Sequence, residues 1–126
     1  MAFKTFEDLE VYNKARELRR RIYQIIKKLP QAERFNLIDQ MRRAALSLTS
    51  NIAEGHGRYH YQENIQYLRQ ARGSLEELMD DLNTCLDEEY LDKAAIDEVK
   101  KLGNDVRMLI NGYIRYLRKR KVEDSE

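Results

Sequence analysis

The sequence predicts an all-α fold, an antiparallel up-and-down four-helix bundle occupying residues 1–126 as one domain. Three observations carry that expectation. Charged residues make up 36% of the chain and apolar residues 42%, and one proline with five glycines leaves little punctuation, a profile of long helices with solvated faces. Apolar residues recur in steps of three and four through separate stretches, the period of a helix with one buried face. The gaps between those stretches are short, so consecutive helices must turn back on one another. The length suffices for a single hydrophobic core.

The helices fall at about 6–29, 34–55, 61–89 and 93–120. The first opens with a capping-box-like Thr5-x-x-Asp8, and Glu7, Asp8 and Glu10 suit the positive end of its dipole. Its apolar seam is Val11, Ala15, Leu18, Ile22, Ile25 and Leu29; Lys27 and Lys28 suit the negative end, and Pro30 stops the helix. The second begins between Ala32 and Leu37, with a seam of Ile38, Met41, Ala45, Leu48 and Ile52, and ends at Gly55 and Gly57. The third carries Leu68, Ala71, Leu75, Leu78, Leu82 and Cys85. Asp92 caps the fourth, whose seam reads Val99, Leu102, Val106, Leu109, Tyr113 and Tyr116, and VEDSE reads as a frayed tail. Tyr12, Arg19, Ile26, Tyr67, Leu86, Ile110 and Leu117 lie beside these seams, and one core is not expected to bury them all. A self-association surface follows.

Several chemistries find no support. Cys85 is the only cysteine, so there is no intrachain disulfide and no CxxC pair, and its place on an apolar seam makes it a core residue. No Glu-x-x-His pair of the di-metal bundles occurs. His56 and His60 stand four apart near Glu54 and Glu63, but His56 lies between two glycines at an expected turn, and both read as exposed loop histidines. There is no phosphate-binding GxxxxGK[ST] loop. Ser47, His56 and Glu54 make a Ser-His-acid set only of the kind any chain this long offers. No catalytic residue, metal or cofactor is expected. No apolar run approaches the roughly 20 residues that span a bilayer, and MAFKTFEDLE has acids where a signal peptide needs an apolar stretch. The expected location is the cytoplasm, away from membranes.

The charges are informative in their distribution, since the net charge is only +1. Residues 76–98 carry Glu76, Glu77, Asp80, Asp81, Asp87, Glu88, Glu89, Asp92, Asp97 and Glu98 against Lys93 alone. Helix one carries Lys14, Arg16, Arg19, Arg20, Arg21, Lys27 and Lys28 against Glu17 after its first turn, and helix four ends in Arg115, Arg118, Lys119, Arg120 and Lys121. If the basic segments share a surface, it can hold a phosphate backbone, with Arg16, Arg20, Lys27, Arg115, Arg118 and Lys119 as the candidate contacts. The alternatives are a solvated polar face, with the basic end of helix four matched to its own dipole, and basic and acidic faces that meet between subunits of a head-to-tail ring.

One stripe of helix two is polar where it should pack: Ser47, Asn51 and Glu54, at steps of four and three. Helix three offers a matching stretch, YLRQARGSLEE, with Gly73 in a helix interior and small Ala71 and Ser74 around it. Such a glycine costs about 1 kcal/mol relative to alanine and marks a close approach by a neighbour. The expectation is a hydrogen-bonded cluster of Asn51, Glu54, Arg72, Ser74 and Glu77 at the contact of helices two and three, or at a subunit boundary beside it. Its expected role is packing and register, with Arg72 holding Glu54 or Glu77 and Gly73 admitting the neighbouring chain.

These two stretches also carry a likeness. SNIAEGHGR followed by YLRQARGSLEE resembles the four-helix-bundle family of 23S rRNA intervening-sequence proteins. That family's Asn-Ile-Ala-Glu-Gly turn falls here on Asn51, Ile52, Ala53, Glu54 and Gly55, with Arg58 after it; its Ala-Arg-Gly-Ser-x-x-Glu falls on Ala71, Arg72, Gly73, Ser74 and Glu77. FEDLEVYNKARELRRRIY, residues 6–23, is similar to the family's first helix, and the likeness runs over about residues 3–120. The resemblance implies a bundle that assembles into a closed ring, a pentamer, encoded in some members inside intervening sequences of ribosomal RNA genes. A related branch assists the reverse transcriptase of diversity-generating retroelements and binds nucleic acid; that branch is strongly basic, whereas this chain is nearly neutral. The expected function is a non-enzymatic homo-oligomer that engages ribosomal or other structured RNA, or a nucleic-acid-processing protein, through its basic face. The alternative is a ring-shaped protein-interaction scaffold with an acidic rim.

Overall fold

The structure is a computed structural model that describes residues 5–125. Four helices, α1 (Glu10–Ile26), α2 (Leu37–His56), α3 (Tyr61–Asp87) and α4 (Lys93–Ser125), follow one another with short connections. Each packs against the next and α4 closes against α1, which makes an up-and-down bundle with no strand among the described residues. None of the described helices is long and apolar enough to cross a membrane.

The expected seams of α1, α2 and α3 are buried at every position, from Val11 through Leu29, Ile38 through Ile52 and Leu68 through Cys85. Burying a leucine or isoleucine of this kind contributes about 1.5–3 kcal/mol. On α4 the buried stripe differs from the expected one. It runs through Ile96, Val99, Val106, Ile110, Ile114 and Leu117, while Leu102, Leu109 and Tyr113 are half-buried at its edge and Tyr116 is exposed. Both stripes share the helical period, and α4 is apolar over a wide arc, so its packing between α1 and α3 decides the centre. Ile26, Ile110 and Leu117 are therefore core residues and do not themselves offer a surface to a partner subunit.

The ends of the helices also move. Thr5 forms the capping box with Asp8, but it caps a separate 3-10 turn, Phe6–Asp8, and extended, buried Leu9 breaks the chain before α1 begins at Glu10. α1 stops at Ile26, so Lys27 and Lys28 lie in the turn that follows. A second 3-10 turn, Gln31–Glu33, delays α2 to Leu37. α2 runs through Gly55 to His56, and Gly57 keeps right-handed backbone; the left-handed residue of this turn is Tyr59, with φ 62°. α3 ends at Asp87, where Glu89 takes φ 61°. Asp92 caps α4 as expected, its Oδ1 accepting from the Ala95 amide at 2.8 Å. The tail is not frayed: α4 continues through Val122, Glu123 and Asp124, with Lys121 donating to Gln62 at 2.8 Å and the Tyr61 hydroxyl donating to Asp124. Glu126, the last residue of VEDSE, lies outside the described residues.

Candidate nucleic-acid interface

The polar stripe of α2 does meet α3, through part of the expected cluster. Ser47 and Ser74 share a hydrogen bond of 2.9 Å across the two helices, and Asn51 donates to the Ser47 hydroxyl at 3.0 Å and to its carbonyl at 2.8 Å. Nearer the start of α2, Gln40 donates to Glu77 at 3.4 Å. Glu54 does not reach Arg72. It pairs with Arg58 at 3.0 Å, and the Tyr67 hydroxyl, which accepts from Arg58 at 2.7 Å, closes a triangle at the end of the bundle. Arg72 turns the other way and donates to Asn111 of α4 at 2.7 Å. The five residues thus divide among four separate contacts, because a guanidinium on a long stem reaches whichever neighbour lies on its own flank. Gly73 is exposed, and no atom of another element lies within 4 Å of where its Cβ would be. The close approach expected there occurs at buried Gly55 instead, whose Cβ would stand 2.8 Å from both Asn64 Oδ1 and Tyr67 Cβ.

The basic residues divide into two sets. Arg16, Arg20 and Lys27 line one groove of ≈ 610 Å³ between α1 and α2, together with Arg19, Tyr23, Gln24 and Leu46. All three are exposed and none has a hydrogen bond or ion pair among the described residues. Arg19 is oriented by a 2.8 Å hydrogen bond to buried Thr49, which fixes the floor of this groove. Arg42, exposed and one turn from Leu46 on α2, extends the same flank. Arg115, Arg118 and Lys119 are exposed on α4 but do not join this groove. Arg21 pairs with Glu98 at 2.8 Å. That register places the second set roughly 20 Å along the axis from Arg16, at about 1.5 Å per residue.

Much of the acidic segment is engaged. Arg107 holds Glu76 through two bonds of 2.6 and 2.7 Å, which keeps the Glu76 carboxyl below the usual carboxylate range. Glu98 pairs with Arg21 and Asp97 with Lys93. Asp81 is buried, a position that its charge hides from sequence reading; desolvation first, then the nearby Glu77 and Asp80 charges, push its carboxyl up to about 6. Burial likewise pushes the Cys85 thiol up to about 11, so it is an inert core sulfur. His56 is the last residue of α2 rather than a loop residue, while His60 is exposed before α3. Among the described residues no group of His, Cys, Asp and Glu is placed to hold a metal ion.

The architecture defines an all-α, up-and-down bundle with short loops, polar pins between its helices and a cationic groove on one side. Within that class the chain belongs to the 23S rRNA-intervening sequence protein family, whose profile matches residues 7–112. The fold is shared with the crystal structure of a protein of unknown function from the S23 ribosomal protein family of Bacteroides thetaiotaomicron, with a TM-score of 0.76 and 22% identity over 82% of this chain and 97% of that one. No curated protein matches this chain.

Proposed function

We propose that this protein is a non-enzymatic, self-associating bundle that holds structured RNA, or an RNA-containing particle, in the groove between α1 and α2. The observation that carries this reading is the convergence of exposed, unpaired Arg16, Arg20 and Lys27 on one groove with oriented Arg19 and the Tyr23 ring. Unpaired cations give up no ion pair when they meet phosphate, so their Coulomb attraction goes into binding. The name of the family supplies the link to ribosomal RNA. Arg115, Arg118 and Lys119 form a second contact region, which a head-to-tail arrangement of subunits brings alongside a neighbour's groove. Support for self-association comes from the apolar groove between Leu9–Val11 and α4, rimmed by Met108, which is 70% exposed.

Binding of a labelled ribosomal RNA hairpin, followed by anisotropy across a salt series, tests the reading. Arg16→Glu with Arg20→Glu should weaken binding and flatten the log–log salt slope by about one unit for each phosphate the variant no longer neutralises. Binding that this double reversal leaves untouched refutes the groove. Protein partners that survive nuclease treatment and depend on Asp87, Glu88 and Glu89 would favour the acidic scaffold.

A further inference from the structure

A second cavity, of ≈ 610 Å³, opens at the end of the bundle where α2 hands over to α3 and the last turns of α4 pass by. Its lining includes Tyr59, Asn64, Tyr113, Tyr116 and Arg120, and none of these belongs to the α1–α2 groove. Tyr59 is 93% exposed and sits in left-handed backbone, a conformation that disfavours a residue with a β-carbon and that glycine or asparagine would adopt more readily. At that exposure the ring is left largely to solvent beside the cavity it lines. Tyr113 and Tyr116 stack with centroids 6.0 Å apart and planes inclined by 23°, so one wall is a flat aromatic face. Asn64 is buried, with 7% exposure; its amide nitrogen lies 3.4 Å from the Tyr113 hydroxyl, and its Oδ1, which lies against Gly55, has no hydrogen-bond partner among the described residues. Arg120 is exposed, 3.9 Å from Asp124 and also engaged by the Tyr61 hydroxyl, both of which line the cavity, and Lys119, unpaired among the described residues, follows Tyr116 by one turn.

Aromatic faces with cations at the mouth are the groups that hold an unstacked nucleobase and its phosphate. A volume of this order accommodates one base with its sugar. We infer that this end cavity takes a single unpaired base of an RNA strand, stacked against the tyrosines, with Arg120 and Lys119 at the adjoining phosphate. The inference rests on the RNA reading above and deepens it: the α1–α2 groove holds backbone, and the end cavity selects single-stranded character.

The chain has no tryptophan, so its tyrosine emission reports directly on stacking. The probe is a short single-stranded oligo(A), with its oligo(A)·oligo(U) duplex and free AMP alongside. Oligo(A) should quench the tyrosine emission of the full chain saturably. Tyr59→Ala should weaken oligo(A) binding about ten-fold while leaving duplex binding and melting unchanged, and Tyr59→Trp should restore it. Arg120→Ala should weaken oligo(A) binding as well. No quenching by oligo(A), or equal affinity in wild type and Tyr59→Ala, overturns the inference even if the duplex still binds the groove. AMP binding as tightly as oligo(A) overturns the RNA occupant in favour of a free nucleotide. Quenching that persists in Arg16→Glu/Arg20→Glu while duplex binding disappears upholds the end cavity independently of the groove.

Discussion

Two glycines invite substitution by alanine with opposite results. At Gly55 the new Cβ would lie 2.8 Å from Asn64 Oδ1 and Tyr67 Cβ and 3.3 Å from the Asn64 carbonyl oxygen. Two of those atoms are close to the α3 backbone, so α3 itself must shift away from α2. Overpacking of this kind costs about 1–3 kcal/mol, offset by the roughly 1 kcal/mol gained when a helix loses a glycine. Two contacts at 2.8 Å place the overpacking in the upper half of that range, about 2–3 kcal/mol, so Gly55→Ala should destabilise by about 1–2 kcal/mol net. At Gly73 the same substitution meets open space on a helical backbone. There only the propensity remains, and Gly73→Ala should stabilise by about 0.5–1 kcal/mol. For a chain of this size each kcal/mol moves the melting midpoint by about 3–5 °C, so the two variants should bracket wild type by several degrees. Thermal unfolding by circular dichroism measures this, with sedimentation recording assembly in parallel. A Gly55→Ala variant as stable as wild type would show that the α2–α3 approach is not tight. A Gly73→Ala variant that melts lower with altered assembly would place Gly73 at a subunit boundary rather than on a free face.

Further outcomes follow from the polar residues. The Asp81 carboxyl is raised from its ordinary 3.8 to about 6, so the stability it lends when protonated is full below pH 3.8 and lost as pH rises through 6. Asp81→Asn should accordingly stabilise by up to about 3 kcal/mol at neutral pH and by little near pH 4; urea unfolding that shows the same difference at both pH values contradicts this. Asn51→Leu removes the donor to Ser47 and should cost about 1–2 kcal/mol without changing RNA affinity, whereas unchanged melting with abolished binding would make Asn51 an RNA-binding residue. Arg107→Met leaves Glu76 without its bidentate partner but exposed to water, and should cost no more than about 1 kcal/mol by thermal unfolding.

The helices and most of the core are legible in the sequence, because the three-and-four spacing of Val11 to Ile25, Ile38 to Ile52 and Leu68 to Cys85 is a local property that each segment carries by itself. The meeting of Ser47, Asn51 and Ser74 is legible for a related reason: two antiparallel helices joined by a short loop leave little choice of register. Tertiary structure alone decided the rest. α4 is apolar over too wide an arc for its spacing to say which residues point inward, so the burial of Ile110 and Leu117 depended on the helices beside it. Arg72 carries a side chain long enough to reach either flank, and only the position of Asn111 determined which. Gly55 and Gly73 look alike as helix glycines; the arrival of Asn64 and Tyr67 at one and of nothing at the other separates them. Periodicity records which stripe of a helix is apolar, but the partner opposite each residue is a property of the assembled bundle, and so are the cationic groove and the aromatic cavity.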